Sequence, residues 1–258
     1  MTTLADEQQK FIRKAATLFK SAKKAVSLTG AGYSTPSGIP DFRSANSGLW
    51  EKHDPMEVAS LSTFRFQPKK FFDWFRPLAA HIYSAIPNPA HISLAQLEKA
   101  GYLFGVITQN IDGLHQRAGS QQVFEVHGSL AWLVCTSCYT RYPSQQFYKS
   151  FIDDCSVPVC PSCGHILKPD VILFEEQLPI KAWKQAEEAA VSCDLMLVAG
   201  SSLMVFPAAN LPLYALENGV PLIVVNKTPT YLDARADIVI HGDLAEIIPR
   251  LASEVLSE

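Results

Sequence analysis

No apolar run in the 258 residues approaches the ~20 that cross a bilayer as a helix; the longest, at 195–200 and 220–225, stop after a few positions. No membrane span is expected. Positive charge is not in excess either: 22 Lys and Arg stand against 25 Asp and Glu, and the basic residues are scattered. The chain therefore lacks the concentrated field that binds a nucleic-acid backbone. Charged residues are scarce at 18% while 48% are hydrophobic, the reverse of a disordered composition. There is no internal repeat and no low-complexity tract. The first twenty residues have no continuous apolar stretch of the secretory kind, because Asp6, Glu7, Lys10, Arg13, Lys14 and Lys20 interrupt them. A cytoplasmic chain is expected, so its six cysteines are read as metal ligands or buried small residues rather than as disulfides.

What is present is an alternation. Residues 5–22 carry Phe11, Ile12, Ala15, Ala16, Leu18 and Phe19 at three- and four-residue spacing, which predicts an amphipathic helix. Residues 25–29 then read as a short strand ended by Gly30-Ala31-Gly32. Further buried-strand runs fall at 103–108, 171–174, 195–199, 221–226 and 238–240, and helical patterns at 90–100, 180–191, 207–217 and 244–256. Strand and helix in turn predict an α/β fold with a doubly wound, mostly parallel sheet. Two stretches break the alternation. Residues 42–87 are aromatic-rich, and residues 132–168 hold five of the six cysteines. Both are expected to leave the sheet and pack together as a smaller domain, with a cleft between the two bodies.

Cys135-x-x-Cys138 and Cys160-x-x-Cys163 have the spacing of a four-thiolate structural zinc site, each pair forming one knuckle. Four thiolates fill a tetrahedron and leave no position for substrate, so the metal is expected to hold the fold. Cys155 and His165 belong to no such pair and are read as bystanders. Gly30-Ala31-Gly32 after a strand is half of a dinucleotide fingerprint, but the third glycine is missing at Thr35, and Pro36, Gly38 and Pro40 predict a loop rather than a helix.

The longer string Gly30 to Arg43, GAGYSTPSGIPDFR, resembles the signature loop of the sirtuins, the NAD-dependent protein-lysine deacylases. TQNIDGLHQRAG from Thr108, His127-Gly128, the two cysteine pairs, KPDVILF from Lys168, GSSLMVFPAANLP from Gly200 and VVN ending at Asn226 agree with that family in order. The resemblance spans about residues 5–250. It implies a Rossmann-like domain over 1–41, 88–130 and 169–258, a helical module over 42–87 and a zinc-ribbon module over 131–168. It also implies NAD as co-substrate, one structural zinc ion and an acetylated protein lysine as substrate, bound between the domains by a chain expected to be monomeric.

The same resemblance assigns roles. His127 matches the general base, and an imidazole with a pKa of about 6.5 suits that task. Asn110 and Asp112 match contacts to the nicotinamide carboxamide and a nearby water, Gln109 a ribose contact, and Ile111 the lining of that pocket. Gly30, Ala31, Gly32 and Thr35 belong to the cofactor loop. Phe42 and Arg43 match residues that cover the reactive ribose, with Asp41 anchoring them. Gly200, Ser201 and Ser202 match phosphate or ribose contacts; Ser201 and Ser202 read alone would cap the helix near Pro207. Asn226, Lys227 and Leu244 match the adenosine end. Ile172, Phe174 and Val205 match the walls of the acyl-lysine tunnel, and extended backbone near 173–176 and 204–206 is expected to sandwich the peptide as an added strand.

Two departures are informative. Sirtuins commonly carry glycine where this chain has Glu175, which is expected to favour basic side chains beside the acyl-lysine. Sirtuins that remove succinyl or malonyl groups place a Tyr and an Arg three residues apart, where this chain has Phe72 and Phe75. Deacetylation, or removal of longer apolar acyl groups, is expected instead. Other activities to be weighed are a nucleic-acid-binding zinc ribbon, an NAD-dependent oxidoreductase, and mono-ADP-ribosyl transfer from the same site.

Overall fold

The computed structural model describes residues 4–42 and 48–257; Arg43, expected at the ribose, lies outside the described residues. Helix α1 (Leu4–Ser21) places Asp6 and Glu7 in its first turn and Lys20 in its last, matching the helix dipole. It leads into β1 (Ala25–Thr29), which is buried along its whole length. Two short 3-10 turns, Ala31–Tyr33 and Thr35–Ser37, follow where the prolines and glycines predict a loop.

Four helices, α2 (Leu49–Lys52), α3 (Pro55–Val58), α4 (Leu61–Phe66) and α5 (Pro68–Ser84), make up the first excursion. The chain returns through α6 (Pro89–Lys99), whose start is fixed by a capping box. The Asn88 side chain accepts from the Ala90 and His91 amides, and His91 accepts from the Asn88 amide. Next come β2 (Gly105–Thr108), α7 (Leu114–Ala118), β3 (Val123–Glu125), β4 (Gly128–Cys135), β5 (Arg141–Pro143) and β6 (Leu167–Val171). The chain closes with α8 (Ile180–Ser192), β7 (Leu195–Ala199), α9 (Leu211–Glu217), β8 (Leu222–Asn226), β9 (Ile238–His241) and α10 (Leu244–Leu256).

Six strands pair in the order β3-β2-β1-β7-β8-β9, all parallel. The order reverses between β1 and β7, the place where doubly wound sheets open a crevice at their strand ends. One apolar layer, with Phe19, Leu94 and Leu251, covers one face, and a second, with Ala186, Leu211 and Met196, covers the other. Strands buried on both faces read as near-continuous apolar runs, which is why β7 and β8, and β1 despite its buried Ser27, are legible in the sequence.

The second sheet has three antiparallel strands in the order β5-β4-β6. The run expected at 171–174 is not a strand of the large sheet. The strand is β6, shifted toward the N-terminus and paired with β4, and Phe174 makes only an isolated bridge to Ser60. This second sheet begins at Gly128 and ends at Val171, straddling the expected module edges at 131 and 168. Phe151, from the cysteine-bearing excursion, packs against Phe72 and Phe75 of α5. Arg76 adds hydrogen bonds to the carbonyls of Phe151 (2.8 Å) and Cys155 (2.9 Å). The two excursions thus form one smaller body. Among the described residues, no helix is long and apolar enough to cross a membrane.

Candidate active site and metal centre

The crevice begins with two loops in close contact. The Gly30 and Gly32 amides donate to the carbonyls of Ala199 (3.3 Å) and Gly200 (2.9 Å). A Cβ at Gly32 would lie 2.9 Å from the Gly200 oxygen. These glycines let the loop after β1 lie against the loop after β7. Thr35 closes the turn by donating to the Gly32 carbonyl (3.1 Å), and Ala31 sits within the first 3-10 turn.

From β2 the polar groups converge on the same opening. Asn110 Nδ2 donates to the Gly30 carbonyl (3.0 Å) and to Ser34 Oγ (3.1 Å), and Ser34 Oγ donates to Asp112 (2.7 Å). Asp112 also accepts from the Leu114 amide (2.9 Å). Burial raises its carboxyl pKa, against the opposing pull of those two donors. Gln109 Nε2 reaches Ser201 Oγ (3.0 Å), which also accepts from the Leu203 amide (3.2 Å). Asn226 Nδ2 donates to the Ser201 carbonyl (3.2 Å). Ser34, Asn110 and Asp112 thus form one hydrogen-bonded group and Gln109, Ser201 and Asn226 a second beside it, both at the point where strand order reverses. Ser201 does not cap a helix; the turn at Ala208–Asn210 and α9 begin several residues later, and Ser202 is exposed.

His127 lies between β3 and β4 and is half-buried. Its Nδ1 is 3.1 Å from the Gln109 carbonyl oxygen. A carbonyl can only accept, so Nδ1 carries the proton and Nε2 presents a lone pair. Burial lowers the imidazole pKa, the Gln109 contact opposing it, and the ring is neutral near pH 7. The His127 carbonyl accepts from the Ile172 amide (2.9 Å), and Gly128, at φ 77°, has no room for a Cβ beside Asp170.

The remaining predicted residues divide between the rim and the walls. Phe42 stacks on Trp50 at 5.1 Å, and Trp50 stacks on Trp74 at 5.7 Å and meets the edge of Phe174 at 6.1 Å. Asp41 and Phe42 are pinned to Leu49 and Trp50 by main-chain hydrogen bonds of 3.1 and 3.0 Å. Ile111 and Phe42 pack on the aromatic core of the smaller body, Phe174 and Val205 are partly exposed, and Ile172 follows β6. Lys227 pairs with Asp243 at 3.0 Å, and Leu244 is buried beneath Gly200.

Two features escape sequence reading. Ser34 links Asn110 to Asp112 although it was not singled out within its string. Tyr33, His91 and His115 form a buried ring cluster with centroids 4.8 to 5.2 Å apart. His115 Nε2 is 2.9 Å from Thr29 Oγ1, which donates to Thr108 Oγ1. Among the described residues, His91 Nε2 and His115 Nδ1 have no hydrogen-bond partner. Burial drives the His91 pKa to about 3 and His115 well below the usual imidazole range. The Asn88-Pro89-Ala90-His91 capping box was the available signal for His91.

The four paired cysteines form the metal centre. Their sulfurs all lie within 4.8 Å of one another, with Sγ separations of 3.4 Å (Cys135–Cys163), 3.6 Å (Cys138–Cys163) and 3.7 Å (Cys138–Cys160). A tetrahedral Zn–S bond of about 2.3 Å requires sulfurs about 3.8 Å apart. The cysteines are therefore positioned to bind a structural zinc ion. Desolvation works against a Cys160 thiolate, yet the Tyr142 hydroxyl and the Ser162 and Cys163 amides bring its pKa down to about 6. Cys155 and His165 stand outside the cluster.

A six-stranded doubly wound domain, a four-cysteine ribbon and a polar crevice at the strand reversal define a dinucleotide-using enzyme of two unequal bodies. Residues 30–207 match the model of the Sir2 family. The "NAD-dependent protein deacylase 2" of Archaeoglobus fulgidus is 45% identical over 245 residues, covering 95% of this chain and 96% of its own. A solved complex described as "Sir2-p53 peptide-NAD+" superimposes with a TM-score of 0.86 at 37% identity, covering 94% of this chain and 98% of the other. "The structure of Sir2Af2 bound to a myristoylated histone peptide" gives a TM-score of 0.81 at 40% identity, covering 95% and 96%. The chain belongs to the Sir2 family.

Proposed function

We propose that this chain is an NAD-dependent protein-lysine deacetylase that releases nicotinamide and O-acetyl-ADP-ribose. The observation that carries the reading is His127, whose Nδ1 is committed to the Gln109 carbonyl and whose Nε2 is left as a base. In this chemistry the acyl-lysine carbonyl oxygen would displace nicotinamide from C1′ of its ribose, a neighbouring ribose hydroxyl would add to the acyl carbon, and one water would supply the acyl oxygen as the lysine amine leaves. His127 Nε2 takes the proton from that hydroxyl. Asn110 and Asp112, held rigid through Ser34, hold the nicotinamide carboxamide, while Gln109 and Ser201 fix the ribose side of the crevice. Phe42, stacked on Trp50, excludes water from the reacting carbon. Asn226, Lys227 and the loop at Gly200 take the adenosine and phosphate end, and Ile172, Phe174 and Val205 line the acyl-lysine tunnel. The enzyme acts as a soluble cytoplasmic monomer, independent of nucleic acid.

The acyl group is acetyl or a longer apolar chain. Phe72 and Phe75 are 1% and 2% exposed within the aromatic core and offer no donor to a second carboxylate. Leaving such a carboxylate unpaired in an apolar site costs several kcal/mol, which predicts succinyl turnover at least about a hundredfold below acetyl turnover. Incubation with NAD and matched acetyl- and succinyl-lysine peptides, followed by mass spectrometry, tests the reading. Equal amounts of free nicotinamide and acetyl-ADP-ribose are expected, lost in His127→Ala. Formation of NADH, or ADP-ribose attached to the peptide, contradicts it.

A further inference from the structure

Glu175 occupies a position where the family commonly carries glycine, and its main chain keeps the glycine conformation at φ 75°. Non-glycine residues enter that region at an energetic penalty, so the rest of the structure must hold it there. The holding group is in the helical module. The Glu175 carboxylate accepts from the Ser62 amide at 2.9 Å, in the first turn of α4. Hydrogen bonding from Ser62 leads in keeping the carboxyl below its usual pKa, and Arg65 adds an attractive charge. The carboxylate is therefore turned toward α4 while keeping its negative charge.

The neighbouring residues are fastened as well. The Phe174 carbonyl accepts from the Leu61 amide (3.0 Å), and its amide donates to Ala59 (3.0 Å). Glu176 accepts from the Leu173 amide (2.9 Å) and pairs with Lys168 (2.9 Å), where both side chains are more than four-fifths buried. Between Phe174, held by main chain, and Glu176, whose amide closes the turn on the Leu173 carbonyl (3.1 Å) and whose carboxylate pairs with Lys168, the Glu175 side chain ties the exposed corner of the wall to α4.

We propose that Glu175 is a positioning residue for the acyl-lysine peptide, its carboxylate latching the 173–176 wall onto α4 before substrate arrives. The inference rests on the deacetylase reading, in which the peptide adds as a strand against this wall. Strand addition draws its affinity from main-chain hydrogen bonds, so a wall already ordered spares the complex the entropy of ordering it. A glycine would adopt the same backbone but supply no latch.

The test compares Glu175→Ala and Glu175→Gln with the wild type. Ala removes the acceptor while keeping the Cβ; Gln keeps a carbonyl oxygen that can accept from the Ser62 amide. The peptide KM of the Ala variant is expected to rise about three- to tenfold, with kcat and the KM for NAD unchanged, and the Gln variant to stay within about twofold of wild type. Amide hydrogen exchange at Ser62, read by NMR without substrate, is expected to accelerate in Ala and not in Gln. An unchanged peptide KM in Ala, an equal loss in Gln, or unchanged Ser62 exchange overturns the latch. A wild type that fails to deacetylate overturns the functional reading instead, while the Ser62 exchange still reports on the latch.

Discussion

The Gly32 amide donates to the Gly200 carbonyl across 2.9 Å, joining the loop after β1 to the loop after β7. Gly200 itself sits at φ 66°, and a Cβ there would lie 2.4 Å from the Tyr33 nitrogen and 2.8 Å from Leu244. Gly200→Ala therefore has to separate the two loops. A loss of about 2–4 kcal/mol in urea unfolding is expected, with NAD affinity falling at least about tenfold. A variant matching wild type in both would show that the loops need not touch.

The pH dependence of turnover should follow His127. Burial depresses its pKa, so the neutral base persists to lower pH than a free imidazole would allow. The acid limb of kcat/KM is expected below pH 6.5, with turnover falling as the ring protonates. A limb centred above pH 7 would identify another group as the base.

Stability should fall on acidification, because of His91 and His115. Both have folded-state pKa values depressed by burial, His91 to about 3, so the folded chain binds fewer protons than the unfolded chain. Their stabilising contribution is complete above the unfolded pKa of about 6.5 and is lost progressively below it. Between pH 7 and pH 5.5 the pair should remove roughly 2 to 3 kcal/mol of unfolding free energy, shared between the two rings. Asp112 and Glu125, whose carboxyls are raised by burial, act in the opposite sense as they protonate. His91→Gln isolates one ring, and denaturant titrations should show about half the histidine-linked loss; an unchanged pH slope would refute the assignment.

Metal removal should act on the smaller body first. Among the described residues, Leu133, Leu167, Cys135 and Cys160, flanked by the partly buried Tyr142 and Phe147, form the ribbon's own apolar core, too small to hold it without a crosslink. One zinc per chain is expected by elemental analysis. Cys135→Ser with Cys160→Ser should abolish it and acetyl-peptide turnover together, while the large sheet retains its circular dichroism. Full zinc content in that double variant would place the metal elsewhere.

The legibility of the chain tracks burial. Strands β1, β7 and β8 are covered on both faces; β7 and most of β8 read as unbroken apolar runs and β1 as one interrupted by small buried hydroxyls, so their ends and the loops at Gly30, Gly200 and Asn226 follow from sequence. Strand β3 spans three residues with only Phe124 deeply buried, too little for a pattern. Strand β6 reads Leu-Lys-Pro-Asp-Val, with the partly buried polar Lys168 and Asp170 interrupting its apolar positions, so the apolar run that marks a strand falls nearer 174. The cysteine spacing and His127 are local signals and were visible. The Ser34 link to Asp112 spans 78 residues and the Glu175 link to Ser62 spans 113, so each exists only in the folded chain.

The central claim is that His127 and Phe42 flank the carbon from which nicotinamide departs. A crystal structure of the complex with NAD and an acetyl-lysine peptide measures this directly. A nicotinamide-ribose hydroxyl within about 3 Å of His127 Nε2, with the Phe42 ring over C1′, is the predicted result. A ribose placed beyond hydrogen-bond reach of His127 in an otherwise productive complex would contradict it.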